Sequence, residues 1–297
     1  MTTELVKRPD VQALLDRVAG LDQAGGDARL KPILRDLVEA IFSILDKHDI
    51  SESEFWGAVK YLTEGAPELG LIVPGIGIEH FLDILLDERD KAAGIAAGGT
   101  PRTIEGPLYV AGAPVSEGAA TMTDREEDGE RLVMHGVVRD LDGNPVPGAL
   151  VDVWHADTRG FYSHFDPTDQ QPPFNFRRRI QTGDDGAYRF NTIMPSGYAV
   201  PPDGAADRLM KALGRHGKRP AHIHFFVTAP GFRHLTTQIN IADDPLIHDD
   251  FAFATRDGLI PEVTRAGGTA EIVFDFALLP EAAGAAYAFS ERPRTAA

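Results

Sequence analysis

The hydrophobic period of this chain changes once, and that change limits the folds open to it. Before residue 95, apolar residues recur every three or four positions. Leu30, Ile33, Leu34, Leu37, Ile41 and Leu45 form one stripe, Trp56, Val59 and Leu62 a second, and Ile78, Phe81, Leu82, Leu85 and Leu86 a third. That spacing keeps one face of an α-helix apolar. Ser51 followed by Glu54 is a capping box that opens the second of these helices. After the small-residue junction at 94–99 the period falls to two. Residues 132–138, 150–154, 187–193, 223–227, 236–241 and 270–276 alternate, and 142–148 (Asp-Gly-Asn-Pro-Val-Pro-Gly) is dense turn chemistry. Short alternating strands with Gly, Pro and Asp between them predict an antiparallel sandwich or barrel. The fold expected is α+β, mainly β, with a helical domain over 1–100 and an antiparallel β-sandwich over 101–297. No strand–helix–strand alternation and no glycine-rich phosphate loop occurs, which argues against a nucleotide fold.

The helical stripes serve either as helix–helix core or as faces that pair across a dimer axis. Residues 71–75 (Leu-Ile-Val-Pro-Gly) read as an apolar loop that either walls a pocket or packs.

Composition removes several classes of function. With 29 Lys and Arg against 45 Asp and Glu, the formal charge is 29 − 45 = −16. Such a chain has no basic stripe to track phosphates, so no nucleic-acid partner is expected. Cysteine is absent, which removes disulfides, thiolate zinc sites, iron–sulfur clusters and a cysteine nucleophile together. The N-terminal residues lack a basic segment followed by an apolar run, and no apolar run approaches the ~20 residues of a membrane span. A cytoplasmic protein that does not span a membrane is expected. Residues 281–297, rich in Ala, Arg and Pro, are expected to wrap or fray.

Within Arg219-Pro220-Ala221-His222-Ile223-His224-Phe225-Phe226-Val227 the period of two aims His222 and His224 the same way. Two imidazoles at that spacing can close on one metal ion, but they supply only two ligands. Two histidines with a carboxylate would suit a non-haem Fe(II) oxygenase, and three histidines with water a catalytic zinc. Neither pattern is complete locally. Among the single histidines, His155 and His164 are the strongest rivals. Of only six tyrosines, Tyr162 follows a strand that ends near Trp154-His155-Ala156-Asp157, and Tyr198 follows one that ends at Ile193. One at a time, each reads as core packing with a hydrogen-bonded tip. Two tyrosines with two histidines make a donor set suited to Fe(III). A phenol with a pKa of about 10 ionises at neutral pH when a strongly charged metal stabilises its anion.

The chain resembles the intradiol ring-cleaving dioxygenases, and within them the catechol branch. The likeness runs from Thr103-Ile104-Glu105-Gly106-Pro107-Leu108-Tyr109 to the segment 249–259, through Val153-Trp154-His155-Ala156, Phe176-Arg177-Arg178, Leu213-Gly214-Arg215-His216-Gly217, Arg219 to His224, and Leu235-Thr236-Thr237-Gln238. Trp154-His155-Ala156-Asp157 favours the catechol over the hydroxyquinol branch. The resemblance implies one Fe(III) per chain with Tyr162, Tyr198, His222 and His224 as its protein ligands, Tyr198 and His224 being the axial pair. It implies that Tyr198, Arg219 and Gln238 take part in catalysis, and that Leu71, Pro74, Ile104, Pro107, Leu108, Phe251 and Ala252 wall the pocket. Catechol and O2 would be the substrates and cis,cis-muconate the product. The resemblance further implies a homodimer through the N-terminal helices and, as is common in the catechol branch, a phospholipid in a tunnel at that interface. Two alternatives stand beside this reading. One is a sibling enzyme acting on hydroxyquinol or chlorocatechol. The other is a non-catalytic, transthyretin-like binding sandwich, which the alternation and turn at 136–153 would also fit.

Overall fold

The structure is a computed structural model that describes residues 5–95, 98–281 and 295–296. Apart from 281 and 295–296, the tail expected to wrap or fray lies outside the described residues. The chain divides into two units, Met1–Ala66 and Pro67–Ala297.

The first unit is helical, with α1 (Pro9–Val18), α2 (Leu30–Lys47) and α3 (Glu52–Gly65). The capping box forms: the Ser51 hydroxyl accepts from the Glu54 N–H at 3.3 Å, and the Glu54 carboxylate accepts from the Ser51 N–H at 2.9 Å. Two of the α3 first-turn donors are thereby met without water. Arg35 ties α2 to α1 through Asp16 at 2.8 Å.

The second unit opens with α4 (Leu69–Gly75) and α5 (Ile78–Ala92). Residues 71–75 are therefore helical and not the loop that Pro74 and Gly75 suggest. Pro74 sits in the last turn, where it removes a single intrahelical bond, and the chain turns off at Gly77 with φ +79°. An unforeseen helix, α6 (Ala205–Ala212), is held at its start by Glu68, whose carboxylate accepts from the N–H groups of Ala205 and Ala206 at 3.0 and 2.9 Å. Among the described residues no single helix is long and apolar enough to cross a membrane. The bent pair Glu52–Gly75 and Ile78–Ala92 meets that test jointly, by length and composition alone.

The strands are β1 (Val110–Ala111), β2 (Val115–Glu117), β3 (Ala119–Thr121), β4 (Arg131–Arg139), β5 (Leu150–His155), β6 (Arg177–Gln181), β7 (Ala187–Ile193), β8 (Tyr198–Ala199), β9 (Lys218–Arg219), β10 (His222–Thr228), β11 (Leu235–Asn240), β12 (Thr264–Ala266), β13 (Thr269–Val273), β14 (Phe276–Ala277) and β15 (Thr295–Ala296). Two sheets form the sandwich, in the orders β11-β10-β5-β6-β2 and β12-β13-β4-β7-β3. Their central ladders are antiparallel, as expected, but β2, β3, β13 and β14 join in parallel. The sheets are mixed because long connections bring these strands back to the sheet in the same direction.

The strand expected over 270–276 breaks after Val273. There the Phe274 carbonyl crosses so close to Gly136 that a Cβ would lie 1.7 Å from its oxygen. Only glycine fits. β6 escaped notice because Arg177, Arg178 and Arg179 mask it, although Arg177 and Arg178 are buried.

Val151 and Val153 of β5 and Ile223, Phe225 and Val227 of β10 pack in the core between the sheets with Leu132, Met134, Phe190 and Ile272. The alternate residues of these strands, Asp152 and Trp154, His222, His224 and Phe226, are also buried. Both faces of the central strands are thus covered. One face makes the sandwich core and the other carries the polar chemistry.

Candidate metal centre

Strand period and ladder register fix the first half of the site. His222 and His224 project together from β10, with Nε2 atoms 3.1 Å apart. On β11, Gln238 lies opposite His224, and on β5, Trp154 lies opposite it from the other side. The Trp154 indole stacks on the His224 ring at 4.9 Å and 5°, which holds the imidazole flat. Tyr162 comes from the coil after β5 and Tyr198 from β8, a two-residue strand pairing with β9, so that Tyr198 lies opposite Arg219. The Tyr162 hydroxyl is 3.2 Å from His222 Nε2. The Tyr198 ring centroid is 5.7 Å from those of Tyr162 and His222. The structure therefore brings together all four side chains singled out in the sequence.

The donor set fits a highly charged cation. His222 Nδ1 is 2.6 Å from the Pro220 carbonyl. With the proton there, Nε2 keeps its lone pair, and His224 Nε2, the Tyr162 hydroxyl and an Arg219 N–H all converge on it within 3.2 Å. One lone pair cannot serve three groups, whereas a metal ion at their meeting point would use the imidazoles and phenols as ligands. Burial lowers the His222 pKa to about 3, and burial with the neighbouring His222 holds His224 well below the ordinary range. Both imidazoles are thus neutral, as metal ligands must be. Burial pushes both phenols up. Each stays protonated until a cation stabilises its anion. Two phenolates and two neutral imidazoles carry two negative charges, a hard donor set that would leave a trivalent ion one positive charge for an exogenous anion. Among the described residues no group of three or more His, Asp or Glu is arranged to hold a metal.

The rivals are occupied elsewhere. His155 is buried between the Thr192 hydroxyl and the Ala156 carbonyl, each at 2.7 Å. His164 Nε2 accepts from the Phe174 N–H at 3.1 Å.

Arg219 is the fixed cation of the site. It is buried, its NH2 donates to the Gln238 side-chain oxygen at 2.8 Å, and NH2 also meets the Asp250 carboxylate at 3.0 Å. Despite the cost of burial, Asp250 raises the Arg219 pKa, and Arg219 lowers that of Asp250. The pair is ionised on both sides. Asp250 went unnoticed in the sequence, where nothing separates it from Asp249. The structure separates them: Asp249 is exposed and pairs with His216 at 3.0 Å. The Asp250 carboxylate also accepts from the N–H groups of Ala252 and Ala254 at 3.0 and 3.3 Å. It joins Arg219 to the segment carrying Phe251 and Ala252, both buried.

Of the other expected wall residues, Leu108 packs on the cluster of Tyr109, Trp154, Tyr162 and Phe226. Leu71 and Pro74 are on α4. Its glycines allow close approach, since a Cβ on Gly70 would lie 2.8 Å from Pro107 and one on Gly75 3.0 Å from Phe251. Ile104 is buried beside Thr103, whose N–H bonds the Thr236 carbonyl of β11 at 3.0 Å.

Two family models match the chain, one described as "Dioxygenase" over residues 104–280 and one as "Catechol dioxygenase N terminus" over 27–94. The chain belongs to the intradiol dioxygenase family. Among curated members, a catechol 1,2-dioxygenase from Acinetobacter baylyi is 47% identical over 100% of both chains. A hydroxyquinol 1,2-dioxygenase from a Rhizobium species is 34% identical over 80% of this chain and 81% of its own. The crystal structure of catechol 1,2-dioxygenase from Pseudomonas arvilla C-1 superposes with a TM-score of 0.90 at 49% identity, covering 97% of each chain. This intradiol dioxygenase is therefore more similar to those catechol enzymes than to that hydroxyquinol enzyme.

Proposed function

We propose that this intradiol dioxygenase cleaves catechol with O2 to cis,cis-muconate at one Fe(III) per chain held by Tyr162, Tyr198, His222 and His224. The observation that carries the reading is the convergence of two imidazole nitrogens and a phenol oxygen within 3.2 Å, with the second phenol beside them. Bound there, ferric iron would supply Lewis acidity toward both catechol oxygens and a route for electron density from the ring to O2. The atoms balance: catechol and O2 give the dicarboxylic acid, one oxygen atom ending in each carboxyl group.

The protein's own groups do the rest. Tyr198 Oη takes one of the two hydroxyl protons that catechol loses. Arg219, held by Asp250 and Gln238 in a buried site, lies where negative charge develops on the ring and stabilises it without reorganising. Leu108, Phe251 and Ala252 exclude water and hold the ring, with Ile104, Pro107, Leu71 and Pro74 completing the wall. The support for the catechol branch is the higher identity to its members. The apolar face of the helical unit supports a homodimer through that unit, with a phospholipid at the interface.

The test is a metal assay with visible spectra before and after adding catechol without oxygen, followed by oxygen uptake on catechol, 4-chlorocatechol and hydroxyquinol. One iron per chain, a red-brown phenolate colour that shifts with catechol, and fastest uptake on catechol are expected. A colourless iron-free protein overturns the iron site, and much faster turnover of hydroxyquinol overturns the substrate.

A further inference from the structure

Arg177 and Arg219 are the two most deeply buried arginines among the described residues, and they differ in their partners. Arg219 faces the Asp250 carboxylate at 3.0 Å. Arg177 makes no ion pair with a carboxylate among the described residues. Its Nε donates to the Ser163 hydroxyl at 2.9 Å, and its NH2 to the carbonyls of Leu108 and Ser163 at 2.8 and 3.1 Å. Its NH1 is buried and has no partner among the described residues. Neutral oxygens satisfy hydrogens, but they do not offset a full buried charge.

Burial lowers the Arg177 pKa to about 10, and the ionisable groups near enough to offset this when charged are Tyr162 first, then Asp152 and Tyr109. Asp152 is already engaged by the Tyr109 hydroxyl at 2.7 Å. The Arg177 guanidinium carbon lies 5.7 Å from the centroid of the Tyr162 ring. From the other side its NH2 bridges the residue after Tyr162 to Leu108 in the pocket wall.

We propose that Arg177 is a positioning residue for Tyr162: a buried cation whose counter-charge is the Tyr162 phenolate of the iron-loaded site, clamped so that ligand and pocket wall are set together. This rests on the iron reading above. In the iron-free protein, Tyr162 is a neutral phenol, and the Arg177 charge is offset only by Asp152, which makes no ion pair with it among the described residues. In the loaded protein the phenolate sits across from it. Arg177 therefore stabilises the loaded form more than the iron-free form. By lowering the energy of the phenolate orbitals it also moves the phenolate-to-iron absorption to shorter wavelength.

The experiment compares wild type with Arg177→Lys, Arg177→Gln and Arg177→Met, each with and without iron, by thermal midpoint, iron affinity and visible spectrum. The Gln and Met variants should lose most of the iron-induced rise in midpoint, bind iron about 10–100-fold more weakly, and absorb at longer wavelength. Lys, which keeps the charge, should restore much of each. Equal losses of midpoint in both forms with an unmoved band would make Arg177 a packing residue and overturn the proposal. If the Met variant does not fold, Lys against Gln carries the same comparison. A wild type that takes up no iron overturns the site reading, whereas coloured wild type with unchanged variants overturns this inference alone.

Discussion

Along β10, Ile223, Phe225 and Val227 alternate and all three are buried. Along α2, Leu30, Leu37 and Ile44 recur with equal regularity, yet they are 56, 56 and 54% exposed. Trp56 and Leu62 of α3 are 58 and 57% exposed. Both patterns define an apolar face, but only the strand meets its cover within the same unit, in the facing sheet. A hydrophobic period thus specifies which side of an element is apolar and says nothing of what covers it. An uncovered face of this extent on a folded chain suits an interface.

The largest effect should fall where the central strands carry chemistry. His224→Ala is expected to abolish iron uptake and catechol-dependent oxygen consumption while far-UV circular dichroism stays native. Iron retained at one per chain would remove His224 from the site. Next come the buried partners. Asp250→Asn leaves the Arg219 charge without its counter-ion and should cost about 3–5 kcal/mol in urea unfolding, with kcat falling more than KM changes. Phe225→Ala should cost a similar ~3–5 kcal/mol with little change in kcat. A kcat unchanged in Asp250→Asn would mean that Arg219 keeps its place without Asp250.

A pH effect of about 3 kcal/mol follows from His155. Burial depresses its pKa to about 4, below the unfolded value near 6.5. Between those values the unfolded chain binds the proton and the folded chain does not, so this contribution is full above pH 6.5 and is lost as pH falls toward 4. His155→Gln should flatten the stability slope in that window, and an unchanged slope would assign it to other groups. The smallest effect belongs to the exposed helical stripe. Leu37→Ala should change unfolding by about 0.5 kcal/mol or less in monomer, while Leu37→Glu should shift sedimentation toward the monomer. A loss from Leu37→Ala as large as that from Phe225→Ala would break the contrast between the regions, showing that the stripe is already packed in solution.

The legible parts of this molecule were those in which neighbours in sequence are neighbours in space. The Ser51–Glu54 box, the common direction of His222 and His224, and the limits of β4, β5, β7, β10 and β11 to within a residue follow from spacings of two to four residues. The break after Val273 did not, because its cause is the Phe274 carbonyl crossing Gly136 from a distant segment. Nor did β6, where three consecutive arginines look like a solvated run and two are buried. Asp250 beside Asp249 shows the limit most sharply: two identical side chains, one in solvent and one against Arg219. Apart from the family resemblance, Tyr162 and Tyr198 stood out for being rare and near strand ends; Tyr198 reaches the imidazoles through the pairing of β8 with β9, and Tyr162 from the coil after β5.

By itself the sequence determined the class of fold, the absence of thiol chemistry, and a paired imidazole face on one strand, because periodicity propagates along an element without reference to the rest of the chain. The tertiary structure decided how Tyr162 and Tyr198 reach that face, which carboxylate holds Arg219, and that Arg177 pairs with none among the described residues. Those are matters of convergence between segments tens of residues apart, and convergence is set by how the sheets and their connections pack.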